Sequence, residues 1–465
     1  MTMLKSAPAA LAALAVGLAG AAQAQGLSQS ASALSQQALT DKTAWNVVES
    51  LTTEIGPRPV GSPAMERAKD WGIAKLKELG FENVHAEPFT TPAWSRGAES
   101  AEVVGPFPQK LAILGLGNSS PTPPGGLTAP IALFPTYRAL LAQPPGSLTG
   151  KIAVVTEKMT RTQGRFGYAG INPNRTAAPL EAAKRGAVGY LTRSLSTDDT
   201  RLPHTGGSAP AGIPAAALST PDAELLEHMV ARGKPVIVRL DMTSSSNPAA
   251  QAWNIVGEIR GREAPDEVVV VGGHLDSWDP GTGAFDDGAG VAITTAAAKL
   301  AGAEKPRRTI RVVMFGSEEQ GGSSGAYLAA HKAEVGKMIV TGESDEGPGP
   351  IWILNLPKGS AGHPAMGAFL TAIGPLKVIA DREPSSLGGA DIQGLMAAGV
   401  PVVDLLPDAN RYFDLHHSAD DTLDKINPAD LAQSTAVWTA FIYTVANSDI
   451  DFRKLAAAVP AAPAR

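Results

Sequence analysis

The sequence predicts an α/β protein with a mixed central sheet, helices on both faces, and a β-rich insertion interrupting its first half. Three observations predict it. Past Ser246, strand-like and helix-like runs alternate; Val268–Val271 is apolar at four consecutive positions, as in a strand buried on both faces; and from Pro92 to about Asn247 short apolar runs are separated by Pro/Gly clusters.

At the amino end, Lys5 precedes the apolar stretch Leu11–Ala22 and the small-residue triplet Ala22-Gln23-Ala24. That order is the pattern of a secretory signal peptide over residues 1–24, and the stretch is too short and too alanine-rich to span a bilayer. The expected location is periplasmic or secreted, with no membrane contact after cleavage.

The first part of the main domain covers residues 41–105. Trp45, Val48, Leu51 and Ile55 recur at helical spacing, Gly56-Pro57-Arg58-Pro59 breaks the pattern, and Met65 to Leu79 resumes it until Gly80. Trp45, Met65 and Trp71 fit a buried helical face. A short strand is expected near 81–89. Residues 106–246 form the insertion, with strands expected at Leu111–Leu116, Ile131–Phe134, Ile152–Val155, Val188–Leu191 and Val236–Leu240. Its segment Leu148–Val155 is similar to the start of a strand in protease-associated domains. The main domain resumes at 247–450, with the valine strand, a helix over Gly288–Ala301, and a strand over Thr309–Phe315. Further strands are expected at Met338–Thr341, Ile351–Leu354 and Val400–Leu406, and a closing helix at Leu431–Val445. Residues 451–465 are Ala/Pro-rich and expected to be a flexible tail.

Composition narrows the chemistry. The 465 residues carry a net charge of −6 and no basic block, which argues against nucleic acid or anionic membrane as the main partner. There are no cysteines. Disulfides, thiolate metal sites and a cysteine nucleophile are thereby excluded, leaving His and carboxylates to hold any transition metal.

Those residue types gather where strands are expected to end. His274 and Asp276 stand two apart at the end of the valine strand, so both side chains can point one way: one as a metal ligand, the other to orient its imidazole. Asp286 and Asp287 follow among glycines before a helix. Asp287 suits a helix cap, which leaves Asp286 as the better ligand. Glu318 and Glu319 follow the next strand and can divide their roles, one binding metal and the other accepting a proton from water. Glu343, Asp345 and Glu346 follow a third strand; His416 and His417 lie close to Asp421. Two His and three or four carboxylates suffice for two ions about 3.5–4 Å apart. Zn²⁺ suits that donor set in hydrolysis, with Mn²⁺ or Co²⁺ as substitutes.

The segments GPRPVGSPAMERAKDW (56–71), PHTGG (203–207), GHLDSWD (273–279), SEEQGG (317–322), ESDEG (343–347) and HHSADDT (416–422) carry a family resemblance. The chain resembles the co-catalytic zinc peptidases of the aminopeptidase-like fold, and among them the plasma glutamate carboxypeptidase (carboxypeptidase Q) branch. The likeness runs over nearly the whole mature chain and implies that the main domain is catalytic. It implies two Zn²⁺ per chain bridged by Asp286, with His274 and Asp345 completing one site and Glu319 and His417 the other. Glu318 would be the general base, and Asp276, as the carboxylate that orients the His274 imidazole, is counted with it in the catalytic set. His416 is the alternative to His417, or a donor to substrate. Asp391 is a candidate for the substrate amine, Trp278 for the pocket wall, and Tyr168 and His204 for a lid; for each, a structural role is the leading alternative. The implied activity is that of an exopeptidase on dipeptides or small peptides with a free amino terminus, and the family precedent is a homodimer. Two other readings are a single-zinc acyltransferase resembling glutaminyl cyclase, and a non-catalytic binding ectodomain.

Overall fold

The computed structural model describes residues 24–380 and 386–459. Residues 1–23 of the expected signal peptide, and 460–465, lie outside that range. The described chain begins with a helix over 24–38 and a second over Thr43–Ser50 that widens into a π turn at Leu51–Ile55. A third helix, Pro63–Glu78, starts where Ser62 accepts the Met65 amide and Pro63 fills the first helical position. Met65, Ala68, Trp71 and Leu76 are its buried face, as their spacing predicts.

The strand expected at 81–89 is much longer. It is β1, Glu82–Gly105, and it runs through Pro92 and well past the expected end. The register slips between Thr91 and Ala93, so the proline sits at a bulge and owes the ladder no hydrogen bond. Short strands β2 (Gln109–Leu111) and β3 (Ile113–Gly115) come next, followed by β4 (Leu127–Phe134), β5 (Ile152–Val155), β6 (Gly189–Arg193) and β7 (Ala215–Leu218). Then come β8 (Ile237–Ile259), β9 (Ala264–His274), β10 (Arg308–Phe315) and β11 (Met338–Glu343). These eleven strands form one mixed sheet along the path β11-β9-β10-β8-β4-β5-β6-β7-β3, with β1 on β2 and β8. A small second sheet has β12 (Ile351–Asn355) between β13 (Ile379–Ala380) and β14 (Asp404–Pro407).

β8 joins the two ends of the large sheet. One of its edges takes β1 antiparallel from Glu82↔Glu258 to Gly105↔Ile237; the other takes β10 near its end and β4 near its start. The valine run behaves as its composition predicts. Val269 and Val271 pack among residues of the helices Ala289–Ala301 and Pro428–Asn447, whereas Val268 and Val270 pack with Tyr327 and Leu395 on the opposite face.

The stretch expected as a β-rich insert makes the far end of this sheet. Its strands β4 to β7 are parallel and interleaved with helices such as Tyr137–Leu141 and Ala178–Lys184, with Thr220–Val230 following β7, so it is itself α/β. β7 escapes sequence reading because Ala-Ala-Ala-Leu has low strand propensity; burial on both sides selects it. The tail is a second correction. Phe452–Ala458 is a helix capped by Asp451, Phe452 is buried, and Arg453 donates to the carbonyls of Met338 and Val335.

Candidate metal centre

Parallel strands β9, β10 and β11 end side by side, and the loops after them carry the acidic and histidine residues. His274 is the last residue of β9 and is fully buried. Its Nε2 lies 3.1 Å from Asp286 Oδ1, and its Nδ1 lies 2.9 Å from the carbonyl of Asp276. An Nδ1–H donated to that carbonyl leaves Nε2 as the ligand atom. From the opposite side His417 Nε2 lies 3.0 Å from Asp286 Oδ2 and 3.1 Å from Glu319 Oε2. Asp345 brings a carboxylate oxygen within 4.8 Å of the His274 and Asp286 ligand atoms. The structure therefore gathers His274, Asp286, Glu319, Asp345 and His417 around one point. Glu318 lines the adjoining cavity, about 480 Å³ in volume, together with Asp286, Glu319, Asp345 and His417.

The donor set suits divalent cations. Glu319 Oε1 is buried and has no hydrogen-bond partner, and Asp286 Oδ2 meets only the imidazoles of His417 and His416. Burial pushes the carboxyls of Glu318, Glu319 and Asp345 above their ordinary range, with mutual repulsion adding to it. For Asp286 burial acts upward too, yet the imidazoles of His274 and His417 outweigh it and hold that group well below the usual carboxylate value. Buried like charges with vacant lone pairs are relieved by a cation between them.

Asp276 does more than the sequence suggested and does it differently. Its carboxylate is 3.6 Å from His274 Nδ1, whereas Oδ1 and Oδ2 accept the amides of Glu318 (2.9 Å) and Glu319 (3.3 Å). The imidazole is held by the Asp276 main chain; the carboxylate sets the acidic pair. Asp287 accepts the amides of His274 and Gly290 and so ties the strand end to the helix start. His416 stacks on His417 with ring centroids 3.5 Å apart, and its Nε2 is 3.8 Å from Asp286. It lines the cavity next to the cluster.

Trp278 and Tyr168 line the same cavity, Tyr168 stacked on Phe413 at 4.9 Å. His204 is no lid residue. Its ring bonds the His416 carbonyl at 2.6 Å and Asp198 at 2.8 Å, so it buttresses the histidine loop from behind. Asp391 does not border the cavity; it is buried 3.4 Å from Ser323 Oγ, and burial together with Glu343 pushes its carboxyl up.

Two residues hold the site in ways the sequence did not indicate: Asp421, noted there only as a neighbour of the histidines, and Arg58, noted only as part of a loop. Asp421 accepts the amides of Ala284 (2.8 Å), Phe285 (2.6 Å) and Asp286 (3.2 Å). Arg58, fully buried, donates to the carbonyls of Leu275, Thr282, Gly283 and Gly56. The Gly-Pro-Arg-Pro loop signalled a break, and a charged residue between two prolines was the available clue to Arg58.

A model of peptidase family M28 matches residues 254–442, which carry the metal cluster. Carboxypeptidase Q of Mus musculus is 36% identical over 406 residues, covering 86% of this chain and 84% of that one. Carboxypeptidase Q of Bos taurus is 37% identical over 404 residues, covering 85% and 84%. Among solved structures, a peptidase M28 precursor from Shewanella amazonensis aligns with TM-score 0.89 and 42% identity over 92% of this chain and 98% of that one. A zinc aminopeptidase from Bacillus subtilis shares the fold, at TM-score 0.65 and 19% identity over 88% and 95%. With the strand-end cluster in place and full-length relatives on both sides, the chain belongs to peptidase family M28.

Proposed function

We propose that this chain is an exopeptidase that uses two zinc ions to hydrolyse dipeptides or small peptides with a free amino terminus. One observation carries the reading: His274 and His417 approach opposite oxygens of the same Asp286 carboxylate, at 3.1 and 3.0 Å. His274, Asp345 and Asp286 would hold one ion, and His417, Glu319 and Asp286 the other. Bound there, the ions supply Lewis acidity, which polarises a peptide carbonyl and lowers the pKa of water.

The chain's own residues do the rest. Glu318, buried at the cavity wall, takes the proton of the attacking water and returns it to the departing amine. The Asp276 carboxylate fixes the backbone beneath it. Trp278 and Tyr412 wall the cavity, and the Tyr412 hydroxyl is placed to donate to Asp345 at 3.3 Å. A single-zinc acyltransferase would leave one imidazole–carboxylate set without use. The signal-like order of residues 1–24 supports export to the periplasm or medium.

The test is a dipeptide panel with free and blocked amino ends, with chelator and after Zn²⁺ repletion, on wild type and Glu318→Ala. The variant is expected to keep two zinc ions and lose about 10²–10⁴-fold in kcat. Near wild-type turnover would remove Glu318 as the base, and one zinc per chain would overturn the two-ion reading.

A further inference from the structure

We propose that Arg175 receives the carboxylate at the substrate's C-terminus and thereby selects dipeptides; the proposal rests on the peptidase reading above. Arg175 lies in the short turn Pro173–Thr176 between β5 and β6, yet it reaches the metal-site cavity and is only 6% exposed. Its Nη1 donates to the Thr205 carbonyl at 3.2 Å and lies 3.2 Å from His417 Nδ1; its Nη2 donates to the Tyr168 hydroxyl at 2.5 Å. Nε has no partner.

Arg165, the other guanidinium bordering the cavity, is paired with Glu346 at 3.3 Å. Arg175 has no carboxylate partner among the described residues; its contacts are a carbonyl, an imidazole and a phenol. A guanidinium stripped of water with no counter-charge is unfavourable, and its Nε remains a donor without an acceptor. The backbone holds it in place. Gly206 has φ +135°, and a Cβ there would stand 2.1 Å from Nη1, so this glycine permits the close approach.

Position decides the ligand class. Only the imidazole of His417 separates the Arg175 guanidinium from the Asp286 and Glu319 carboxylates, which its far nitrogen approaches at 3.0 and 3.1 Å. In a dipeptide the terminal carboxylate is three bonds from the scissile carbonyl carbon. Every added residue moves it up to about 3.3–3.6 Å farther. An anchor one ring away from the metal ligands therefore matches a carboxylate one residue past the cleaved bond, and a longer peptide would overrun it.

The experiment compares L-alanyl-L-alanine with L-alanyl-L-alaninamide on the zinc-loaded full chain, following amino-acid release for wild type, Arg175→Met and Arg175→Lys. Wild type is expected to favour the free acid by about 10–100-fold in kcat/KM, the range of one charge-assisted hydrogen bond, chiefly through KM. Arg175→Met should lose that preference by falling on the acid alone, with part of it kept in Arg175→Lys. Equal loss on both substrates would make Arg175 a brace for His417 and overturn the proposal. Calorimetric binding of the two compounds to Glu318→Gln, which keeps Arg175, reads the preference without an Arg175 variant; equal affinities there overturn it as well. Equal hydrolysis of acid and amide by wild type overturns the carboxylate receptor and leaves the peptidase reading standing. Hydrolysis of neither overturns both.

Discussion

The carboxylate of Asp276 accepts the backbone amide of Glu318 at 2.9 Å, so the residue two places after His274 fixes the start of the acidic pair that follows the neighbouring strand. Asp276→Asn would turn one acceptor oxygen into a donor facing an N–H. The expected result is a fall in kcat of about 10–100-fold with zinc largely retained. Metal analysis beside steady-state rates checks it, and unchanged kcat would show that Glu318 keeps its place without this bond.

Asp286 is shared by both imidazoles. Asp286→Ala is expected to lose both ions and all measurable turnover together, because each half of the cluster loses its common carboxylate. Stoichiometric zinc in the purified variant would place the bridge elsewhere.

Removal of metal should also cost stability. The cluster's ligands come from the ends of β9, β10 and β11 and from the loop at His417, so an ion bound there ties distant segments of the folded chain and is lost on unfolding. Zinc at about a hundred times its dissociation constant would contribute about 2.7 kcal/mol. A lower Tm in verified apo-protein, restored by zinc, is the expected result; superimposable melting curves would show that the ions do not stabilise the fold.

Arg58 is a buried cation whose donors end on carbonyls of the loop from Leu275 to Gly283. Arg58→Met strands several buried acceptors at about 1–3 kcal/mol each and is expected to lower stability by about 3 kcal/mol or more. Arg58→Lys should rescue little, since an ammonium does not span acceptors as a planar fork does. Denaturant unfolding of the three proteins checks the order.

The Asp198–His204 pair at 2.8 Å predicts an acid limit. Burial pushes the Asp198 carboxyl up, but His204 and the Thr200 amide outweigh it and set it below its ordinary value. A carboxylate lowered in the folded state stabilises above its unfolded pKa, about 3.9, and that contribution disappears as pH falls through the folded value. Stability should therefore drop more steeply below about pH 4 in wild type than in Asp198→Asn. Parallel curves for the two proteins would leave the pair without a pH role.

Strand-end chemistry was the legible part of this sequence. The valine strand and the helix after it follow from composition, and the acidic and histidine clusters from their place at the ends of apolar runs; the choice of five ligands among them rests on the family resemblance. What stayed hidden acts through the backbone. Asp421 and Arg58 bind amides and carbonyls of residues more than 130 positions away, and a single sequence holds no trace of such pairs. β1 extends past its expected end because a bulge accommodates Pro92, and β7 was not expected because three alanines form a strand only when both faces are covered. Arg175 carries no mark in the sequence; burial alone distinguishes it.

The long ladder between β1 and β8 has a consequence for how the protein is made. Its two strands are separated by the entire stretch that builds the far end of the sheet, so β1 leaves the ribosome well before its partner exists. Until Ile237–Ile259 is synthesised, the only partner strand of β1 among the described residues is the three-residue β2. Closure of so large a loop makes folding non-local and slow. Fragments ending before Ile237 should be caught by proteases or aggregate through the open edge of β1, and the first stable product of a truncation series should appear only once β8 is complete.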